Sequence, residues 1–178
     1  EGLDYIKNDS IKLLPVFSGV DKSVRPANQG ELDIFGQDVP NYEPENKLFL
    51  GGEGMIATTN GYADFLRILL NNGNLNGVNF LKKSTINEMS SPHTQIDNEY
   101  GYNGYNLWVT SDKHIDDGTG DEGLWTGGGY EGTHFWIDRK RGFVGLIMTQ
   151  IFSPNEIAAN KENDIRGLIY KEIFKNEK

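Results

Sequence analysis

The sequence predicts an α+β fold: an antiparallel sheet with a C-terminal helix packed on one face. Three observations carry this. Thr58 to Gly73, TTNGYADFLRILLNNG, places Tyr62, Phe65, Leu66, Leu69 and Leu70 at helical spacing. From Tyr100 the pattern turns β-like, with short aromatic and β-branched runs separated by glycine-rich and charged turns. After Pro154, NEIAANKENDIRGLIYKEIFKNEK reads as a closing helix.

Taken in order, residues 1–54 form a loop-rich N-terminal segment, dense in Gly, Pro, Asn and Asp. LDIFG at Leu32 to Gly36 suits a short strand, and DVPNYEPENK reads as loop because each Pro biases its predecessor away from helix. Residues 55–178 hold the helices, the sheet and the closing helix, and 1–178 reads as one partial domain. Thr58 or Thr59 caps the first helix, and Gly73 sits where a left-handed terminating residue is needed. NLNGVNFL then gives a turn and a short extended piece. Ser84 is placed to cap a second helix over Thr85 to Met89.

GYNLWVT, Gly104 to Thr110, reads as a strand, and SDKHIDDGTGDEG as a polar loop. Leu124 to Gly129, Thr133 to Asp138 and Phe143 to Gln150 read as three further strands. The turn Arg139 to Gly142 joins the last two as antiparallel partners. In the closing helix Ile157, Ile165, Leu168, Ile169, Ile173 and Phe174 form the expected apolar stripe.

Composition removes several function classes. The hydrophobic fraction of 37% over 178 residues is enough for a folded core. No apolar run is long enough for a membrane-spanning helix. A net charge of −9 argues against nucleic acid as a partner, since affinity there comes from Lys and Arg on phosphates. With no cysteine, disulfides and thiolate metal sites are excluded. The chain begins at Glu1 rather than Met and shows no basic or apolar leader pattern; a missing Met is expected of a processed chain, a trimmed one or a piece of something longer.

The remaining metal and phosphate motifs are weak, so no metal and no cofactor is expected. His93, His114 and His134 fall in no ligand spacing. The acidic stretch Asp116 to Glu122 lacks the spacing of a calcium loop and reads as a solvated hairpin loop. The glycine-rich GGEG at Gly51 to Gly54 and TGGGYEG at Thr126 to Gly132 lack the lysine and the helix that a phosphate cradle requires.

Nucleophile motifs are also missing. There is no Gly-x-Ser-x-Gly, no Ser-x-x-Lys and no Tyr-x-Asn. Ser10 and Ser111 have Lys two residues on, a spacing at which a helical nucleophile and its base do not meet. Ser153-Pro154-Asn155 matches Ser-x-Asn only formally, after the last strand.

One stretch stands out: LWTGGGYEGTHFWID, Leu124 to Asp138, puts three consecutive glycines inside a strand pattern. Glycine weakens a strand, so it marks either close packing between strands or a place where another molecule approaches the backbone. Both readings stay open on the residues alone.

LFLGGEGMIATTNGYADFLRILLNNGNLNGVNFLKKSTINEMSSPH resembles the middle of the serine β-lactamase-like family of class C β-lactamases, DD-peptidases and related esterases. The matching parts are Gly51-Gly52, Thr58 to Tyr62, Leu69 to Gly73 and Leu75 to Gly77. YGYNGYNLWV is similar to that family's Tyr-Gly-x-Gly-aromatic strand, and WTGGGYEGTHFWIDRKRGFVGLIMTQ to its third-motif strand and the two strands after it. The likeness is strongest from Phe49 to Gln150.

The resemblance implies the C-terminal part of the β-lactamase/transpeptidase-like fold. Trp125, Thr126 and Gly127 fall on the family's Lys-Thr-Gly; aligned from FWID instead, Gly127, Gly128 and Gly129 do. The implied site is a substrate-binding and oxyanion strand, with Gly128 or Gly129 as backbone donor. Trp125 lacks the charge of the family lysine, which departs from carboxylate recognition. The family's Ser-x-x-Lys and Tyr-x-Asn belong to its N-terminal half and have no match here.

The expected function is therefore that of half a serine hydrolase, inactive alone, whose parent acts on a small-molecule or peptide-like ester or amide. Self-association through the exposed apolar face is expected with it. An envelope or secreted parent is implied by the resemblance only. The alternatives are a non-catalytic binding module that keeps the cleft wall, or a plain structural domain.

Overall fold

A computed structural model describes residues 3–5, 15–19, 23–28, 55–94, 101–110, 123–152 and 157–175. In chain order the elements are β1 (Leu3–Tyr5), β2 (Phe17–Ser18), β3 (Arg25–Pro26), β4 (Met55–Ala57), α1 (Thr59–Leu70), β5 (Asn74–Leu75), β6 (Val78–Asn79) and α2 (Lys83–Met89). Then come β7 (Gly101–Asn103), β8 (Trp108–Thr110), β9 (Trp125–Gly128), β10 (His134–Asp138), β11 (Phe143–Ile147), β12 (Ile151–Phe152) and α3 (Ile157–Ile173). The α+β fold with an antiparallel sheet and a C-terminal helix is as the sequence predicts.

The main sheet has the order β11-β10-β9-β8-β7, an antiparallel meander in which every strand pairs with its neighbours in sequence. Side-chain alternation along a strand gives the sheet two faces. One face carries Val109, Trp125, Phe135 and Ile137, which pack with Leu66 and Leu69 of α1 and Ile86 of α2 in the principal core. The other carries Trp136, fully buried, and Asp138, 2% exposed. There Phe143 meets Tyr170 and Phe174 edge-on at 6.2 and 5.6 Å, which seats α3. A helix therefore lies on each face of the sheet.

The local signals for α1 act as expected. The Thr58 hydroxyl accepts from the Gly61 N–H at 3.1 Å, satisfying one donor of the first turn. At the other end Gly73 takes φ +94° and donates to the Ile68 carbonyl at 2.8 Å. A Cβ there would lie 1.9 Å from the Leu81 carbonyl oxygen, so conformation and space both require glycine. Asn76 and Gly77, both at positive φ, then close the β5–β6 hairpin.

Four sequence expectations change. The loop-rich N-terminal segment, where described, supplies strands β1, β2 and β3, each too short to leave a periodic pattern. The second helix starts at Lys83, and its N-cap Lys82 makes no side-chain cap bond, so Ser84 lies inside the helix rather than capping it. GYNLWVT is only half strand: Gly104 to Leu107 form the β7–β8 turn, with Asn106 at φ +53° and the Gly104 N–H on the Leu107 carbonyl. On α3 Phe174 packs on Phe143 as expected, but Arg166 and Tyr170 are buried while Ile165, Leu168 and Ile173 are 39%, 61% and 59% exposed; the side chain of Ile157 lies outside the described residues. Tyr170 goes inward to a buried hydrogen bond with Asp138 of β10. LDIFG, Gly51 to Gly54, His114, the acidic loop and Ser153 to Asn155 lie outside the described residues.

A second, three-stranded sheet has the order β12-β2-β3. β12 pairs with β2 in parallel, Ile151 opposite Phe17 and Phe152 opposite Ser18. Pro26 sits on β3, an outer strand of this sheet, where a missing N–H costs no ladder bond.

Candidate functional site

The glycine-rich stretch is strand β9 and the turn after it. Its first two residues are held firmly. Trp125 is 4% exposed and lies in the principal core, with the Arg139 guanidinium 4.8 Å from its ring centroid. The Arg139 side chain also donates to Asn72 at 2.8 Å, which ties the end of α1 to the β10–β11 turn. Thr126 is 8% exposed, and its hydroxyl donates to the Trp108 carbonyl at 3.4 Å.

Beyond Thr126 the two edges of β9 part company. β8 pairs with it only as far as Trp125 and Thr126. β10 continues alongside, Phe135 opposite Gly127 and His134 opposite Gly128. From Gly127 on, the outer edge of β9 has no strand beside it among the described residues.

The direction of each backbone group follows from strand parity. The Gly129 N–H donates to the Thr133 carbonyl at 2.7 Å, so Gly129 and Gly127 turn their polar groups toward β10. On the opposite side the Leu124 carbonyl accepts from the Thr110 N–H at 3.0 Å, so Leu124, Thr126 and Gly128 turn theirs outward. Of the two donors expected from the sequence, Gly129 is already engaged. Gly128 alone presents its N–H and C=O to the open edge.

The three glycines do not share one reason. A Cβ on Gly127 would meet the Phe135 ring at 2.4 Å, and that ring also packs 6.0 Å from Tyr62. Here glycine serves the strand packing. A Cβ on Gly128 would come no nearer than 3.4 Å to the Thr133 carbonyl, and one on Gly129 no nearer than 3.6 Å to Thr133 Cβ. Both residues are exposed. The chain's own packing leaves room for a side chain at either position.

The turn that follows is braced from outside the strand. Gly132, at φ +76°, donates to the Gly129 carbonyl at 3.1 Å. The Glu131 carbonyl accepts from the Ile151 N–H at 3.0 Å and from the Thr149 hydroxyl. Thr133 returns a bond to the Thr149 carbonyl at 3.1 Å. Tyr130, 50% exposed, lies flat on Phe152 of β12 with centroids 4.6 Å apart and planes 13° apart. This brace was missed from sequence, since nothing local to Glu131 marks its partners nearly twenty residues on.

Histidine chemistry lies apart from this edge or beneath it. His93 stacks on Tyr105 at 3.8 Å, with its ring nitrogen 2.7 Å from the Glu88 carbonyl. His134 starts β10 beside Gly128 and points to the α3 face, where burial and then the Arg166 charge push it down to about 4. Among the described residues no three His, Asp or Glu gather as metal ligands. No helix among them is long and apolar enough to cross a membrane.

Comparison with known proteins decides the family. The Beta-lactamase family model matches residues 16–167. The chain belongs to the beta-lactamase family.

Solved structures with the fold include EstCE1, described as a hydrolase with promiscuous acyltransferase activity, at TM-score 0.70 and 16% identity over 96% of this chain. They also include simvastatin synthase, LovD, from Aspergillus terreus, at TM-score 0.63 and 15% identity over 89% of this chain. The LovD6 mutant of the same enzyme matches at TM-score 0.65 and 15% identity over 91%. This beta-lactamase-family chain spans 46%, 41% and 44% of those three chains, respectively, less than half of each. At such identities the likeness is one of fold. No curated protein sequence matches this chain.

Proposed function

We propose that this chain is the C-terminal portion of a β-lactamase-like serine hydrolase and supplies one wall of its acyl-transfer cleft. The observation that carries the reading is the outer edge of β9. Among the described residues strand cover stops at Thr126, Gly128 turns its polar groups outward, and two exposed glycines stand where the packing around them does not require them.

In this role the Gly128 N–H is one oxyanion donor. When a nucleophile adds to the carbonyl of an ester or amide, negative charge collects on the carbonyl oxygen. A donor fixed in advance stabilises that charge at no reorganisation cost. The absence of a Cβ at Gly128 and Gly129 lets substrate atoms reach the main chain. Trp125 and Thr126 act indirectly, holding the strand by their buried side chains. The Gly128 carbonyl is free to accept from a substrate N–H.

The chain contains no Ser-x-x-Lys, so it has a wall but no nucleophile. Its span of less than half of the neighbours' length supports a part contributed from elsewhere. The exposed Ile165, Leu168 and Ile173 on α3 suit surface that the remainder of such a fold covers. A fluorophosphonate label tests the reading. The 178-residue chain should remain unlabelled, and the same chain joined to upstream sequence carrying Ser-x-x-Lys should be labelled there. A labelled serine within these 178 residues rules the proposal out.

A further inference from the structure

Four Asn-Gly steps occur in the chain: Asn60-Gly61, Asn72-Gly73, Asn76-Gly77 and Asn103-Gly104. An Asn-Gly step can lose its side-chain amide, because the glycine nitrogen can attack the asparagine Cγ with no Cβ in the way. The reaction needs that nitrogen free and the dipeptide mobile. What holds each glycine N–H therefore decides which step reacts.

Three of the four are locked into packed backbone. The Gly61 N–H donates to Thr58 Oγ1 at 3.1 Å in the first turn of α1, and Gly61 is buried. The Gly73 N–H donates to the Ile68 carbonyl at 2.8 Å, and Gly73 is buried against the Leu81 main chain. The Gly104 N–H donates to the Leu107 carbonyl at 2.8 Å, where a Cβ would lie 2.0 Å from the Met89 carbonyl oxygen. Freeing any of these nitrogens opens a helix end or a packed turn as well.

Asn76-Gly77 stands apart. It forms the tip of the β5–β6 hairpin, with φ +52° and +84°, and both residues are exposed. A Cβ on Gly77 would meet nothing within 4 Å, so no other backbone packs on the tip there. The Gly77 N–H donates to a side chain, Asn74 Oδ1, at 3.1 Å. Asn74 is oriented in turn by donating its Nδ2 to Asn79 Oδ1 across the hairpin at 3.0 Å.

We propose that Asn76 is a deamidation site of the folded chain, and that Asn74 sets its rate by holding the Gly77 N–H. When the tip opens and Asn74 lets go, the Gly77 nitrogen gives up its proton to base and bonds to Asn76 Cγ. The Cγ–Nδ2 bond breaks, and ammonia leaves with a proton from solvent. Water then opens the cyclic imide at either carbonyl, leaving aspartate or isoaspartate at position 76. Water is the one co-reactant. Either product adds a negative charge to the hairpin tip, and isoaspartate also adds a methylene to the main chain of a tight turn.

The test incubates the 178-residue chain at mildly alkaline pH, folded and in denaturing urea, and follows each asparagine by peptide mass spectrometry. Fragment ions separate Asn72 from Asn76, which share the tryptic peptide Ile68 to Lys82. In urea all four steps should convert at similar rates. In the folded chain Asn76 should convert at least roughly tenfold faster than Asn60, Asn72 or Asn103. Asn74→Ala should speed Asn76 alone by roughly two- to tenfold, the range one net hydrogen bond allows. Asn74→Asp keeps an acceptor for the Gly77 N–H and should hold the rate near its native value.

The other three steps report folding in every variant, since unfolding would raise their rates too. If Asn60, Asn72 or Asn103 converts as fast as Asn76 in the folded native chain, or Asn76 does not convert, the site is wrongly assigned. An Asn76 rate that Asn74→Ala leaves unmoved, or that Asn74→Asp raises as much, overturns the role of Asn74.

Discussion

Tyr170 donates a buried hydrogen bond to Asp138, with 2.9 Å between hydroxyl and carboxylate oxygens. Asp138 stands on β10 at 2% exposure and also accepts from the Arg141 backbone N–H at 2.9 Å and its guanidinium at 3.0 Å. The Arg141 guanidinium lies 5.4 Å from the centroids of both Tyr170 and Phe174. One carboxylate thus joins the β10–β11 turn to the closing helix. A buried charge is tolerable only when so fully partnered.

Replacing Tyr170 by Phe removes one charge-assisted bond and leaves the two from Arg141. The expected cost is about 1–2 kcal/mol in urea unfolding, with the helix retained. Asp138→Ala should cost more, because it removes all three bonds at once and leaves the buried Tyr170 hydroxyl without its acceptor.

Alkaline stability follows from the same residue. Burial first, then the hydrogen bond and charge of Asp138, raise the Tyr170 phenol far above its ordinary 10.0, against a smaller lowering by Arg141 and Trp136. The folded state therefore favours the neutral phenol. Its contribution is fully present below the unfolded-state value of about 10 and is lost as pH climbs through and beyond it. Urea unfolding between about pH 9 and 11 should show this loss in the native chain and less of it in Tyr170→Phe.

Acid behaviour has a separate source in His134. Its folded-state value is lowered to about 4, by burial and then by Arg166. The neutral imidazole is the folded form, and its contribution is present above the unfolded value of about 6.5. It is lost as pH falls toward 4, by at most about 1.4 kcal/mol per pH unit. His134→Gln should flatten the stability profile in that window, and an NMR titration of the ring should show it neutral at pH ~5.

The adjacent glycines should respond differently to one methyl group. Gly127→Ala drives a Cβ into the Phe135 ring and should destabilise by about 1–3 kcal/mol. Gly128→Ala meets only ordinary contacts and should stay within about 0.5 kcal/mol. Thermal melts of the two variants, side by side, check the separation of packing from site.

At the head of α1, Thr58→Ala should cost about 1 kcal/mol, because the Gly61 N–H loses its acceptor. Thr58→Asp should restore most of it. Helix content followed by circular dichroism during heating gives the measurement.

The parts legible in sequence are those with local causes. The α1 boundaries come from Thr58 and Gly73, and the meander from short β runs broken by turns. What escaped depends on distant partners. The β2–β12 pairing joins two-residue strands from opposite ends of the chain, with no pattern in either. The buried face of α3 was legible at Phe174 but not at Tyr170, which goes inward for its bond to Asp138 while Leu168 stays outside. At the site, the glycine run was visible, but which glycine faces outward depends on the Gly129–Thr133 bond, a matter of pairing register rather than composition.

The parallel pairing of β2 with β12 also imposes an order on biosynthesis. Strand β2 leaves the ribosome before the meander, while Phe152, on which Tyr130 rests, is made only after it. The glycine hairpin can form as soon as β10 is synthesised. Its brace cannot close until Thr149 to Phe152 are made, and Phe152 then pairs with the earlier strand β2. A nascent chain stalled before Thr149 would therefore carry the sheet, yet leave the turn beside Gly128 without its support.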